Sequence, residues 1–144
     1  MHLSDVPGDN VILVVPDTNF LIYSAKHGIN IDYELERLFN IYKVVILRCV
    51  REELEKLRDR LRGKERYSVS LLLSLIRRYD EENEDIPGRY TDEIIVNYAL
   101  RCRDEGKKVV VCTNDKELKG KLLDIGIPVV VVKQKKYFEL QGYI

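Results

Sequence analysis

The sequence predicts a three-layer α/β/α fold with a central parallel sheet, built as one domain over residues 1–144. Three observations carry this expectation. Four short β-branched runs, at 11–15, 43–47, 109–112 and 128–132, are continuously apolar, as strands covered on both faces are. Segments with helical spacing lie between those runs, so strand and helix alternate. Gly28, Gly63, the "IPG" at 86–88, Gly106 and Gly126 fall where helices would end or the chain would turn.

Taken in order, strand 11–15 leads into a helix over 19–26 that stops before Gly28, and a second helix is expected over 33–39. Strand 43–47 follows, then a helix over 49–61 whose Val50, Leu54, Leu57 and Leu61 form one apolar stripe. The next helix, 67–80, contains "SVSLLLSLI", which is apolar around more of its surface than a single core-facing stripe needs. Helix 92–104, strand 109–112, helix 115–124 and strand 128–132 complete the alternation. Residues 1–10 read as a loose arm, and 135–144 as either a short final element or a second arm.

Composition excludes several classes. Lys plus Arg and Asp plus Glu each number 24, so net charge names no partner. No apolar run approaches a membrane span, and the first ten residues lack the pattern of a signal peptide, so a cytoplasmic protein is expected. Cys49, Cys102 and Cys112 are widely spaced, and only His2 and His27 could join them, which argues against a zinc site. There is no Walker A loop, no G-x-G-x-x-G and no Ser-His-Asp order.

In a parallel α/β sheet the ligand site lies outside the carboxyl ends of the strands, and the first strand delivers Asp17 there. Three further acids are expected at the same edge. Glu53 lies three residues after Val50 and four before Leu57, beside the apolar stripe, whereas Glu52 and Glu55 point to solvent. Asp92 shares a face with Ile95, Val96 and Ala99. Asp115 precedes Leu118 and Leu122 by three and seven residues, while Asn114 and Glu117 have the spacing of a capping box. Any one of these acids, taken alone, is better read as a first-turn residue favoured by the helix dipole. Four converging carboxylates without a cation would repel in a cleft. A divalent ion resolves the repulsion, and an all-oxygen donor set suits Mg²⁺ or Mn²⁺.

The segments "PDTNFLI", "VREELEKL", "YTDEIIVNYA" and "TNDKELK" occur here in the order and spacing of the PIN-domain family, and the resemblance covers essentially the whole chain. It implies a metal-dependent ribonuclease with Asp17, Glu53, Asp92 and Asp115 as catalytic and metal-binding acids, supported by Thr18 or Asn19 and by Thr113 or Asn114. The wording around these acids is similar to small archaeal PIN proteins of the ribosomal-RNA-processing type. VapC-type toxins share the acids and would add an antitoxin partner. RNA and hydrolysis come from this resemblance; the residues by themselves give convergent acids and a hard cation.

The resulting expectation is an endoribonuclease acting on single-stranded RNA, in rRNA or pre-ribosome processing or as a toxin. Arg58, Arg62 and Arg66 recur every four residues and would form one basic ridge if the helix runs on through Gly63; Lys116, Lys119 and Lys121 add charge near Asp115. The alternative for the ridge is a solvated, salt-bridged face. PIN relatives often dimerise, so a homodimer through residues 71–76 is expected. Two other readings compete: a non-catalytic RNA- or ribosome-binding scaffold with a vestigial pocket, and a receiver-like domain. The second expects paired acids after the first strand, and "VVPDTN" supplies one.

Overall fold

The computed structural model describes residues 10–83 and 85–144. The elements run β1 (Ile12–Pro16), α1 (Thr18–Lys26), α2 (Ile31–Leu38), β2 (Tyr42–Leu47), α3 (Arg48–Arg60), α4 (Gly63–Ile76), β3 (Asp80–Glu82), α5 (Thr91–Asp104), β4 (Lys108–Cys112), α6 (Lys116–Asp124), β5 (Val129–Lys133) and β6 (Tyr137–Gln141). They form one six-stranded sheet in the order β3-β2-β1-β4-β5-β6, flanked by helices. Strands β1 to β5 are parallel, and β6 returns antiparallel to β5. The first nine residues, including most of the expected N-terminal arm, lie outside the described residues.

Why the apolar runs became strands is plain from their burial. Val14, Val15, Val110, Val111, Val129 and Val130 are at most 1% exposed, so both faces of the central strands are covered. Phe20 of α1 and Phe138 of β6, both buried, pack in a tilted arrangement with ring centroids 4.9 Å apart. The chain leaves β1 toward β2 on one side and later places β4 on the other side of β1. That reversal between β1 and β4 is the topological switch point, where a crevice opens at the strands' carboxyl ends.

Strand β3 was not expected, and the nature of the tail was open. The helix predicted to reach residue 80 stops at Ile76, and Asp80–Glu82 forms the short edge strand β3. Its acidic side chains carry no hydrophobic signal; Lys43 pairs with Asp80 at 3.0 Å, and Arg51 pairs with Glu81. The tail is a final element, not an arm. Gln134 and Lys135 both take positive φ, 53° and 57°, and Lys136 N–H donates to the Lys133 carbonyl at 3.0 Å. Three residues, 134–136, join the paired Lys133 and Tyr137, and two successive positive φ values are a turn geometry that favours Asn and Gly, written here with residues that do not announce it. The outer edge of β6 is met by α2: Phe138 N–H donates to Glu34 at 2.9 Å, and Arg37 donates to the Phe138 carbonyl. Those side chains occupy backbone groups that an edge strand otherwise exposes.

The basic ridge is also corrected. Helix α3 ends at Arg60, Leu61 and Arg62 are extended, and Gly63 starts α4 with φ +63°. Arg58 and Arg66 therefore belong to different helices, although Arg66 still donates to the Arg58 carbonyl at 2.9 Å. The apolar excess of α4 is mostly covered within the monomer, where Val69, Leu72, Leu73 and Ile76 are buried; Tyr67 and Leu71 stay exposed, at 66% and 53%. No helix among the described residues is long and apolar enough to cross a membrane.

Candidate active site

The site begins where β1 ends. Asp17 N–H donates to the Cys112 carbonyl at 2.9 Å, so the first residue past β1 is fastened to the last residue of β4. Asp17 is then the N-cap of α1, its Oδ1 accepting Phe20 N–H at 2.6 Å. Its side chain is also buried, 6% exposed, which an ordinary surface cap would not be. Burial raises its pKa to about 6. Hydrogen bonds from Thr113 and Phe20 oppose that rise, and the charges of Asp92 and Asp115 add to it.

Thr113, fully buried, follows β4 directly. Its hydroxyl donates to Asp17 and accepts Asp115 N–H at 3.0 Å, joining the two acids through one side chain. Asp115 caps α6 by accepting Leu118 N–H at 3.0 Å. The capping box assigned to Asn114 and Glu117 is thus wrong by one residue. Asn114 instead accepts Val132 N–H at 2.9 Å, because the chain is still crossing from β4 toward α6 there.

Glu53, in the second turn of α3, accepts the Thr18 hydroxyl at 3.2 Å and the Thr91 hydroxyl as well. The neighbouring Glu52 is instead drawn to Arg48, at 3.6 Å. Thr91 was missed by sequence reasoning, since a threonine at a helix start reads as a cap. Tyr90 holds the cap position of α5 and makes no side-chain cap bond, which leaves Thr91 free to tie α5 to α3. Asp92, next along, has its pKa raised by partial desolvation and then by Asp115 and Glu53, with Lys121 opposing.

The expectation of four inward carboxylates needs revision. Asp17 alone is buried; Glu53, Asp92 and Asp115 are exposed and stand on the rim of an open crevice. Nor is the surface free of cations: Lys121 lines a groove with Asp92 while lying 3.6 Å from Glu117. Thr18 is buried beside Asp17, Asn19 is exposed, Lys116 is exposed and Lys119 half-buried on α6.

Among the described residues, no group of three or more His, Cys, Asp or Glu side chains is arranged as a ready metal cage. The donor chemistry still fits a hard divalent ion that keeps much of its own water and takes only one or two direct carboxylates, as Mg²⁺ does. Asp17 is a buried carboxylate held in the field of two other acids, and no Lys, Arg or His among the described residues pairs with it.

Comparison with known proteins follows the same outline. Residues 14–135 match the family described as PIN like domain. The chain is 52% identical over 135 residues to Ribonuclease VapC4 of Methanocaldococcus jannaschii, an alignment covering 91% of this chain and 98% of that protein. It is 33% identical over 128 residues to Ribonuclease VapC9 of Archaeoglobus fulgidus, covering 89% and 88%. Among solved structures it is similar to the PIN domain endonuclease Utp24, with a TM-score of 0.74, 25% identity and 92% of each chain covered. VapBC-1 from nontypeable Haemophilus influenzae, at 18% identity, TM-score 0.57 and coverage of 78% and 93%, shares the fold.

Proposed function

This chain belongs to the PIN-like domain family, and we propose that it is a VapC-type endoribonuclease hydrolysing phosphodiester bonds of single-stranded RNA at the β1/β4 crevice. The observation that carries the proposal is Asp17: a buried carboxylate without a cationic partner among the described residues, raised to a pKa of about 6 by burial and facing two further acids. Asp17, Glu53, Asp92 and Asp115 are the residues that would hold Mg²⁺ or Mn²⁺. When bound, such an ion polarises phosphoryl oxygens and lowers the pKa of water.

The chain's own residues supply the positioning. Thr113 and the Phe20 amide fix the Asp17 carboxylate, and Thr18 and Thr91 hold Glu53 at the rim. Lys116 and Lys119 on α6, with Arg58, Arg62 and Arg66 at the α3–α4 junction, are candidate phosphate contacts. Under this reading the protein acts in the cytoplasm, answers to an antitoxin, and forms a homodimer through residues 71–76, of which Leu71 is the exposed leucine. A second reading, processing of rRNA within a pre-ribosome, comes from the sequence resemblance; the similarity to the PIN domain endonuclease Utp24 over 92% of both chains supports its endonuclease part.

The test is cleavage of single-stranded RNA by the purified protein in Mg²⁺ or Mn²⁺. Turnover by the wild type and none by a folded Asp17→Asn variant supports the proposal. Equal cleavage by both contradicts it.

A further inference from the structure

Beside Glu53 and Thr91 the crevice continues into a groove of about 310 Å³, near the small end of the range for ligand pockets. Its walls come from α3 and from the segment leading into α5. Leu47, Ile86 and Ile94 give it an apolar floor, and Arg48, Lys56 and Arg89 bring positive charge. The acids of the groove are already engaged. Glu52 pairs with Arg48, Glu53 takes two threonine hydroxyls, and Glu82 has a partner of its own. Arg48 is further drawn to Asp85 at 2.9 Å. Among the described residues, the Lys56 ammonium and Arg89 guanidinium form no ion pair. Tyr90, between Arg89 and Thr91 in sequence but outside the groove's lining, is 68% exposed and free to meet an occupant.

We propose that this groove receives one nucleotide flanking the cut phosphate: its base on the apolar floor and the Tyr90 ring, its phosphate between Lys56 and Arg89. The inference rests on the ribonuclease reading and adds to it a position of sequence preference beside the cut. Three features favour an RNA occupant over another ligand. The groove is continuous with the candidate catalytic acids through Glu53 and Thr91. Its uncommitted charges are both positive, which suits a phosphodiester. An exposed aromatic beside cations is how single strands are commonly gripped, by stacking together with backbone contact. A size near the lower limit for ligand pockets admits one unstacked base and excludes a duplex.

The test separates this subsite from the activity itself. Binding of an uncleaved single-stranded oligoribonucleotide is followed by fluorescence anisotropy on the full chain carrying Asp17→Asn, across a salt series in EDTA. Adding Lys56→Gln and Arg89→Gln should flatten the log–log salt slope by about 0.7, the amount for one lost phosphate on a single strand. Tyr90→Ala should weaken affinity by about tenfold. Lys107→Gln with Lys108→Gln, at the opposite end of the sheet, should change neither. In parallel, a randomised RNA pool cut by otherwise wild-type protein should show a base preference beside the cut that Ile86→Trp, filling the groove, abolishes without lowering the melting temperature. Unchanged slope, affinity and preference, with the wild type still cleaving single-stranded RNA, would overturn the subsite and leave the ribonuclease reading intact. A wild type that neither binds nor cleaves single-stranded RNA would overturn both.

Discussion

Thr113 joins Asp17 to Asp115, donating its hydroxyl to the first carboxylate and accepting the backbone N–H of the second at 3.0 Å. Both acids sit where β1 and β4, hydrogen-bonded neighbours in register from Ile12 to Cys112, reach the carboxyl edge of the sheet. A single buried hydroxyl therefore opposes the larger rise that burial gives the pKa of one acid and fixes the backbone position of the other.

Thr113→Val keeps the shape of the side chain and removes that donor. Asp17 then loses a contact that holds its pKa down, so it should move further above about 6. The acid limb of the pH dependence of kcat/KM should shift to higher pH, with the fold retained. Profiles of the two proteins measured side by side check this, and coincident acid limbs would contradict the role given to Thr113.

Glu53 and Glu52 are adjacent and separate cleanly. Glu53→Gln should reduce kcat sharply, because this carboxylate is held at the crevice by Thr18 and Thr91. Glu52→Gln should change kcat little, since it loses only an exposed contact to Arg48, of a kind worth about 0–1 kcal/mol. Single-turnover cleavage of one RNA by both variants gives the ranking, and the reverse order would contradict it.

The fold was legible where hydrophobicity was the signal and hidden where local geometry or charge decided. Strands β1, β2, β4 and β5 follow from runs such as 11–15 and 128–132, because a doubly covered strand must be apolar throughout. Strand β3 reads Asp-Glu-Glu and is held by Lys43 and Arg51, so periodicity could not find it. Helical spacing placed Glu53, Asp92 and Asp115 at one edge of the sheet. It could not show that the edge is open enough to leave all three exposed. The hydroxyl of Thr91 was invisible for a related reason: its partner lies 38 residues away, on another helix.

Strand β6 offers a check on the same point. Lys135 holds φ at 57° in a turn that glycine enters without steric cost. Lys135→Gly should stabilise the protein by about 1 kcal/mol, read as a higher urea midpoint at constant m-value. A lower midpoint would mean that the Lys135 side chain contributes more than its backbone conformation costs.

The most direct measurement is scanning calorimetry of the wild type and Asp17→Asn at pH 7, each in EDTA and in millimolar Mn²⁺. Asp17 has a folded-state pKa of about 6 against an ordinary 3.8, so the folded protein binds the extra proton between those values. Ionised Asp17 therefore costs the metal-free fold about 3 kcal/mol at neutral pH, a cost relieved as pH falls from about 6 toward 4. Asparagine still accepts at the α1 cap and carries no charge. In EDTA the variant should melt above the wild type at pH 7, and its advantage should shrink toward pH 4. Mn²⁺ should raise the wild type by ligand linkage, about 2.7 kcal/mol at a hundredfold excess over Kd, and leave the variant nearly unmoved. A variant that melts lower in EDTA and still responds fully to Mn²⁺ would make Asp17 a structural cap and contradict its assignment to a metal site.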